Sequence, residues 1–371
     1  WLKAQPRLHL VASPLPLSLP GMAAAKLLLA AELAIAAAAG PVYNESAALL
    51  YAQYARVSFC SKDKIESWQC GDICRAAPSE PGSARYLGPG RLFDVQGYVA
   101  QMPSDVGVRC IAAFRGTSNY NLRNALADAL VWRTTWPAGG ATWCPGCAVL
   151  SGYAGAYDEL RSEFLAAVRG LNCSSVALAG HSLGAGLASL ATVDLRAGEG
   201  IHVDATWTFG KPRVGNLAYV EASRRAAREQ GVDPPLWRVV HYHDIIPRVP
   251  FHSWGYHHEP LEVYYTDEAS TRYRVCPPTA EHLEDPRCML ATPWYRCTMG
   301  DHCNYLHGIT FEEADFDSSC IPAQPSPWPM VATIAVPLLG LLACCGACRA
   351  CGKAAQARAR DPVAFEERLL G

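Results

Sequence analysis

The sequence predicts an α/β fold with a mostly parallel central sheet, followed by one C-terminal transmembrane helix. Three observations carry that expectation. Residues 157–168 place Leu160, Phe164, Leu165 and Val168 at helical spacing and run into an apolar stretch at 175–179, the order of helix and buried strand that parallel sheets use. That stretch enters Gly180-His-Ser-Leu-Gly184 and leaves through an Ala- and Leu-rich helix to about Leu195, after which strand-like runs at 206–209 and 237–241 flank a charged helix at 217–229. Near the carboxyl end, residues 328–347 are predominantly apolar and long enough to span a bilayer.

Taken in order, residues 1–40 read as an upstream extension and a secretory signal peptide. Met22 is the expected start, Lys26 supplies the basic end, and the apolar run at 27–40 would reach about 21 Å at roughly 1.5 Å per residue, short of a bilayer core of about 30 Å. Glu32 interrupts it, and the stretch before Met22, with Pro6, Pro14, Pro16 and Pro20, is assigned no structure. One domain is expected at 41–326. It opens with a helix at 47–57 that puts Leu50, Tyr51, Tyr54 and Val57 on one face. A Pro-, Gly- and Ser-rich connection at 76–90 precedes a hairpin of 96–101 with 108–114, turned by Pro103, Ser104, Asp105 and Gly107. The helices and strands named above follow, and a further strand is expected at 262–265. The span at 328–347 begins at Trp328 and is followed by Arg349, Lys353, Arg358 and Arg360, which puts the tail at 348–371 in the cytosol. Pro337 is tolerated within a lipid-embedded helix if neighbours satisfy the freed carbonyl. A buried core helix is the competing reading, whereas a cleaved lipid-anchor signal would not continue into a polar tail.

Composition excludes several classes. Of 371 residues half are hydrophobic and 18% charged, which excludes disorder, and 32 basic against 34 acidic side chains exclude a charge-driven nucleic-acid partner. The 16 cysteines divide into 12 before the expected span and four at its cytosolic end. An even 12 suits a disulfide framework in the secretory pathway, whereas Cys344, Cys345, Cys348 and Cys351 at the membrane face suit S-acylation. Cys144-Pro-Gly-Cys147 lacks the βαβ context of a redox pair and reads as a structural bridge or as two separate ones. Asn44-Glu-Ser46 and Asn172-Cys-Ser174 are glycosylation sequons of the same compartment.

The chemistry centres on Ser182. Strand, Gly-x-Ser-x-Gly and helix in succession form a nucleophile elbow, in which a Cβ at either glycine would strike the neighbouring strand or helix. The hydroxyl then projects at a helix N-terminus, where the Leu183 N–H can stabilise an oxyanion. A serine hydroxyl is a weak nucleophile, so it needs a histidine base and an orienting carboxylate, in the chain order Ser, Asp, His. Asp244, at the end of a strand before Pro247, is the candidate acid. For the base, His252, His257, His258, His282, His302 and His307 all follow Asp244, and the residues alone do not choose among them.

Together the motifs Phe114-Arg-Gly-Thr-Ser118, Gly180-His-Ser-Leu-Gly184, Thr208-Phe-Gly-Lys-Pro-Arg-Val-Gly-Asn216, Asp244-Ile-Ile-Pro247, Gly255-Tyr-His-His258 with Glu262, and Asp301-His-x-x-Tyr305 resemble the class 3 (fungal-type) triacylglycerol lipase family of α/β hydrolases. The resemblance covers roughly residues 47–308 and implies an α/β-hydrolase fold. It implies Ser182 as nucleophile, Asp244 as acid and His302 as base, with Thr117 and Leu183 as oxyanion donors. His258 and His307 rank behind His302. A lid is implied at 119–130, although Ala125 and a thin apolar face depart from the large side chains that lipases commonly offer to oil. Insertions at about 135–149 and 276–297 are expected to border the site, and Lys211 stands where the family commonly has Gln.

The implied activity is ester hydrolysis of acyl lipids, acylglycerols first, through an acyl-enzyme, with no metal or organic cofactor and with a membrane partner through the C-terminal helix. Phospholipid or other acyl esters are the alternative substrates. A catalytically inactive surface binding module is the alternative of another class.

Overall fold

A computed structural model of the chain describes residues 42–104, 107–116, 132–279 and 281–311. The chain divides into Trp1–Tyr43 and Asn44–Gly371. Of the first unit only Val42 and Tyr43 are among the described residues, and the fold belongs to the second.

Helix α1 (Glu45–Val57) starts at Asn44, whose side chain accepts from the Ala47 N–H at 3.0 Å, and it carries Glu45 in the first turn and Arg56 in the last. Short helices α2 (Lys62–Ser67) and α3 (Asp72–Ala76) follow. Strand β1 (Arg85–Leu87) lies inside the segment expected to be an irregular connection, and it pairs antiparallel with β2 (Gly97–Gln101). Three residues between Pro- and Gly-rich turns hold too little alternation to be read as a strand. The expected hairpin is formed by β2 with β3 (Arg109–Phe114). A small hairpin, β4 (Arg133–Thr135) with β5 (Ala148–Leu150), encloses the Cys144–Cys147 bridge.

Next come helix α4 (Ser151–Gly170), strand β6 (Ser175–His181) and helix α5 (Leu183–Val193), which ends in a π turn at Asp194–Gly198. Strand β7 (Val203–Phe209), helix α6 (Leu217–Glu229), β8 (Trp237–His241), β9 (Glu262–Tyr265) and β10 (Tyr273–Cys276) complete the large sheet. A final turn of helix, α7 (Gly300–Cys303), leads to the pair β11 (Asn304–Tyr305) and β12 (Ile309–Thr310). The sheet order is β1-β2-β3-β6-β7-β8-β9-β10. Its centre from β3 to β9 is parallel and its margins are antiparallel. This is the α/β-hydrolase architecture with a mostly parallel sheet.

Alternation along the strands separates two apolar layers. Cys110, Ala112, Phe114, Val176 and Leu178 face the main core with α4, α5 and α6. From the opposite face, Tyr51 of α1 stacks on Trp207 at 5.5 Å and the Tyr98 hydroxyl donates to the Tyr54 carbonyl at 2.8 Å. Burying strands on both faces is what makes them read as continuous apolar runs.

Among the described residues, bridges join Cys70–Cys74, Cys110–Cys173, Cys144–Cys147 and Cys276–Cys288, and Cys303 is also disulfide-bonded. Cys60 and Cys297 remain thiols, so the bridges do not use every cysteine of the framework. The Cys144–Cys147 alternatives therefore resolve to one local bridge. Among the described residues no helix is long and apolar enough to cross a membrane. The apolar segments at 22–40 and 328–347 lie outside the described residues.

Cys110–Cys173 closes a loop with sequence separation 63, against 3 for Cys144–Cys147. Cys110→Ala with Cys173→Ala is expected to cost about 2–5 kcal/mol. Calorimetric melts should show a larger loss for that pair than for Cys144→Ala with Cys147→Ala.

Candidate active site

The serine turn is built as its glycines demand. Ser182 takes φ 57° and ψ −128° between β6 and α5, a conformation that L side chains rarely adopt. A Cβ on Gly180 would run into the Gly184 carbonyl, and one on Gly184 into the Phe114 carbonyl of β3. Leu183 is the first residue of α5, so its N–H is among those a helix leaves without an internal partner. Thr117 and the segment 119–130 lie outside the described residues.

Asp244 follows the carboxyl end of β8 and is completely buried. Its Oδ1 accepts from the Ile246 N–H at 2.8 Å, and its Oδ2 accepts from His302 Nδ1 at 2.8 Å and from the Tyr305 hydroxyl. Burial and the adjacent carboxylate hold the Tyr305 phenol well above its ordinary range, so it stays a donor. With Nδ1 engaged, His302 leaves Nε2 buried and, among the described residues, without a hydrogen-bond partner, as is Ser182 Oγ. Loose or absent bonds between nucleophile and base are common before substrate arrives.

The other histidines have other employment. His258 is buried, with Nε2 on the Pro247 carbonyl at 2.7 Å and its backbone N–H on Glu284. His307 lies 3.1 Å from Glu45, His252 and His257 pack ring to ring at 4.5 Å, and exposed His282 is 3.9 Å from Glu281. Among the described histidines only His302 is hydrogen-bonded to Asp244.

Two further histidines were not singled out by sequence reasoning. His181 Nε2 donates to the His302 carbonyl at 2.8 Å, and the two rings stack at 4.4 Å. On its other face His181 stacks on Phe311 at 4.0 Å. His241 reaches the carbonyls of Asp301 at 2.7 Å and Glu268 at 3.0 Å. The backbone on either side of the His302 nitrogen is thus gripped from the ends of two parallel strands. A signal existed, since His181 and His241 each end a strand of the central sheet, where open sheets place their sites.

Behind the acid lies a buried network of charges. Lys211 meets Glu259 at 2.7 Å, Arg213 meets Glu284 at 2.6 Å, and Arg238 meets Glu262 at 2.9 Å. Glu259 also accepts from Ser189 of α5 at 2.5 Å. Burial would raise the carboxyls of Glu259 and Glu284, but their cations hold both below the ordinary value. Lys211, in the position commonly Gln, therefore has a carboxylate partner as buried as itself.

Residues 111–254 match the family model described as Lipase (class 3). The secreted mono- and diacylglycerol lipase A of Penicillium cyclopium is 31% identical over 182 residues, which are 47% of this chain and 53% of that one. A lipase of Rhizomucor miehei is 29% identical over 222 residues, 58% of this chain and 56% of that one. The chain spans about half the length of these curated relatives. A solved triacylglyceride lipase of Rhizomucor miehei superposes with a TM-score of 0.57 at 25% identity, covering 72% of this chain and 95% of that one. Lipase II from Rhizopus niveus gives 0.59 at 22% identity over 73% and 96%, a likeness of fold.

Burial keeps His181 and His258 neutral by lowering both well below 6.5. Unfolding frees them to protonate, so their contribution to stability is complete above about pH 6.5 and is lost as the pH falls below it, by about 1.4 kcal/mol per pH unit for each proton. Melts from pH 7.5 down to about 5 should show a falling midpoint. His258→Gln, which keeps a donor for Pro247, should flatten that fall.

Proposed function

We propose that this chain, whose residues 111–254 match the lipase (class 3) model, is a serine hydrolase that cleaves carboxylic esters of acyl lipids through an acyl-enzyme. Ser182 is the nucleophile. His302 Nε2 takes its proton as Oγ attacks the ester carbonyl, and Asp244 keeps the Nδ1 proton in place and steadies the imidazolium. The Leu183 N–H, with the N–H of Thr117, receives the oxyanion. His302 then gives the proton to the departing alcohol; in the second half it takes a proton from the attacking water and passes it to Ser182 Oγ as the acyl–Oγ bond breaks, which releases the fatty acid. The single observation that carries this reading is the 2.8 Å bond between a buried Asp244 and His302, beside a serine in an elbow conformation.

Acylglycerols are the first substrate class, since the relatives include a secreted mono- and diacylglycerol lipase and triacylglyceride lipases. The same relatives support a secretory route for this chain, to which the sequons and the disulfides are suited. Residues 41–326 form the hydrolase domain, tethered by the span at 328–347 so that the active site faces lipid from the lumenal or extracellular side. The chemistry needs no metal or organic cofactor.

Release of oleate from emulsified triolein and of butyrate from a soluble ester, beside Ser182→Ala and Asp244→Asn, tests this reading. Ser182→Ala should abolish both and Asp244→Asn should lower kcat about 10⁴-fold. Removal of an oxyanion donor, as in a Thr117 deletion of its N–H geometry by Thr117→Pro, should cost about 10²- to 10³-fold. Butyrate cleavage without triolein cleavage would leave an esterase of other substrates, and full activity in Ser182→Ala would sink the mechanism.

A further inference from the structure

The insertion at 276–297 has an inner side and an outer side of opposite character. Its inner side is fixed: Cys276–Cys288 closes it, Glu284 is paired with Arg213, the Met289 N–H donates to Glu262 at 2.9 Å, and Arg248 donates to the carbonyls of Met289 and Thr292. Its outer side carries Leu290 at 41% exposure, Trp294 at 46% and Tyr295 at 59%, on two short turns of 3-10 helix at Met289–Ala291 and Trp294–Arg296. Three large apolar side chains within six residues are held outward by a rigid base, which solution alone gives no reason to do.

From this we infer that the outer side of the insertion is a docking surface for a phospholipid–water interface with anionic head groups. The inference rests on the acyl-lipid reading of the site. Trp and Tyr have an apolar body and a polar tip, the chemistry that settles at head-group depth, and Leu290 adds a purely apolar side chain beside them. Arg296 ends the Trp294–Tyr295 turn, exposed and, among the described residues, without a carboxylate partner, whereas Arg287 is taken up by Asp285 at 2.8 Å. An unpaired guanidinium next to interfacial aromatics fits a phosphate or a serine head group.

The location is as telling as the chemistry. Directly after the patch, the Thr298 N–H donates to the His243 carbonyl at 2.9 Å and Thr298 bridges Asp244, and four residues later comes His302. The docking surface and the catalytic acid and base therefore share one stretch of backbone. Adsorption through Trp294 and Tyr295 would set the carboxyl edge of the sheet, and with it Ser182, toward the interface without needing any movement of the insertion.

The test uses the full chain with vesicles of phosphatidylcholine, with and without phosphatidylserine, carrying brominated acyl chains. Brominated lipid should quench a component of tryptophan emission that Trp294→Phe lacks. The triple variant Leu290→Ser, Trp294→Ser, Tyr295→Ser should keep soluble butyrate hydrolysis within about twofold and lose about tenfold or more on emulsified triolein. Arg296→Glu should lower the Trp294-dependent quenching in the serine-containing vesicles and spare it in the neutral ones. Equal quenching in wild type and Trp294→Phe, with triolein hydrolysis unchanged in the triple variant, overturns the proposal. So does a shift from dimer to monomer caused by the triple variant in the absence of lipid, which would make the patch a contact between copies. If the wild type cleaves neither ester, the enzymatic reading fails while quenching still decides the docking surface. If the triple variant loses butyrate activity too, Trp294→Gln alone, judged by quenching and by the ratio of the two activities, replaces it.

Discussion

A carboxylate removed from water must collect its hydrogen-bond donors from the protein, and Asp244 collects three. One comes from its own turn, through the Ile246 N–H, and two from a segment about sixty residues later, through His302 and Tyr305. An isolated buried charge costs several kcal/mol, so the late segment has to return to this place for the domain to be complete. The small pair β11–β12, the helical turn α7 and the stack of His181 between His302 and Phe311 are arranged around that requirement. The same interaction fixes the ring orientation and tautomer of His302, which are those the proposed base requires, so one contact serves both packing and the proposed chemistry.

The buried ion pairs extend this logic outward. Lys211 holds Glu259 in the connection before β9, Arg238 holds Glu262 at the start of β9 and Arg213 holds Glu284 of the insertion, while Arg213 and Arg248 donate to carbonyls around the Asp244 turn and the insertion. Such pairs need not add stability over apolar packing, because desolvation offsets much of the attraction. They do supply direction. A guanidinium with several fixed acceptors admits one arrangement of the loops that carry them, and an apolar cluster would admit several.

The serine turn works by the opposite means, through exclusion instead of attraction. Gly180 and Gly184 are places where backbone meets backbone, so the strained Ser182 is enforced by β3 and α5 closing on it. A parallel sheet supplies that closure because its strands are buried on both faces and all end on one edge, where the elbow, His241 and Asp244 gather.

What the sequence determined by itself were the features written in local patterns. The helix at α6 and the strands β8 and β9 appear at the limits their periodicity predicts, and the elbow is recognisable because strand, glycine spacing and helix lie within one short stretch. Edge strand β1 and the short helices α2 and α3 were not legible, since a few residues carry neither period clearly. The partnership of Asp244 with one histidine among six was decided only in three dimensions, as were the positioning histidines 181 and 241 and the choice of which cysteines pair. Local patterns report what a residue's neighbours along the chain require of it. A hydrogen bond across roughly sixty residues depends on where the sheet brings the chain back, and that is a property of the packed whole.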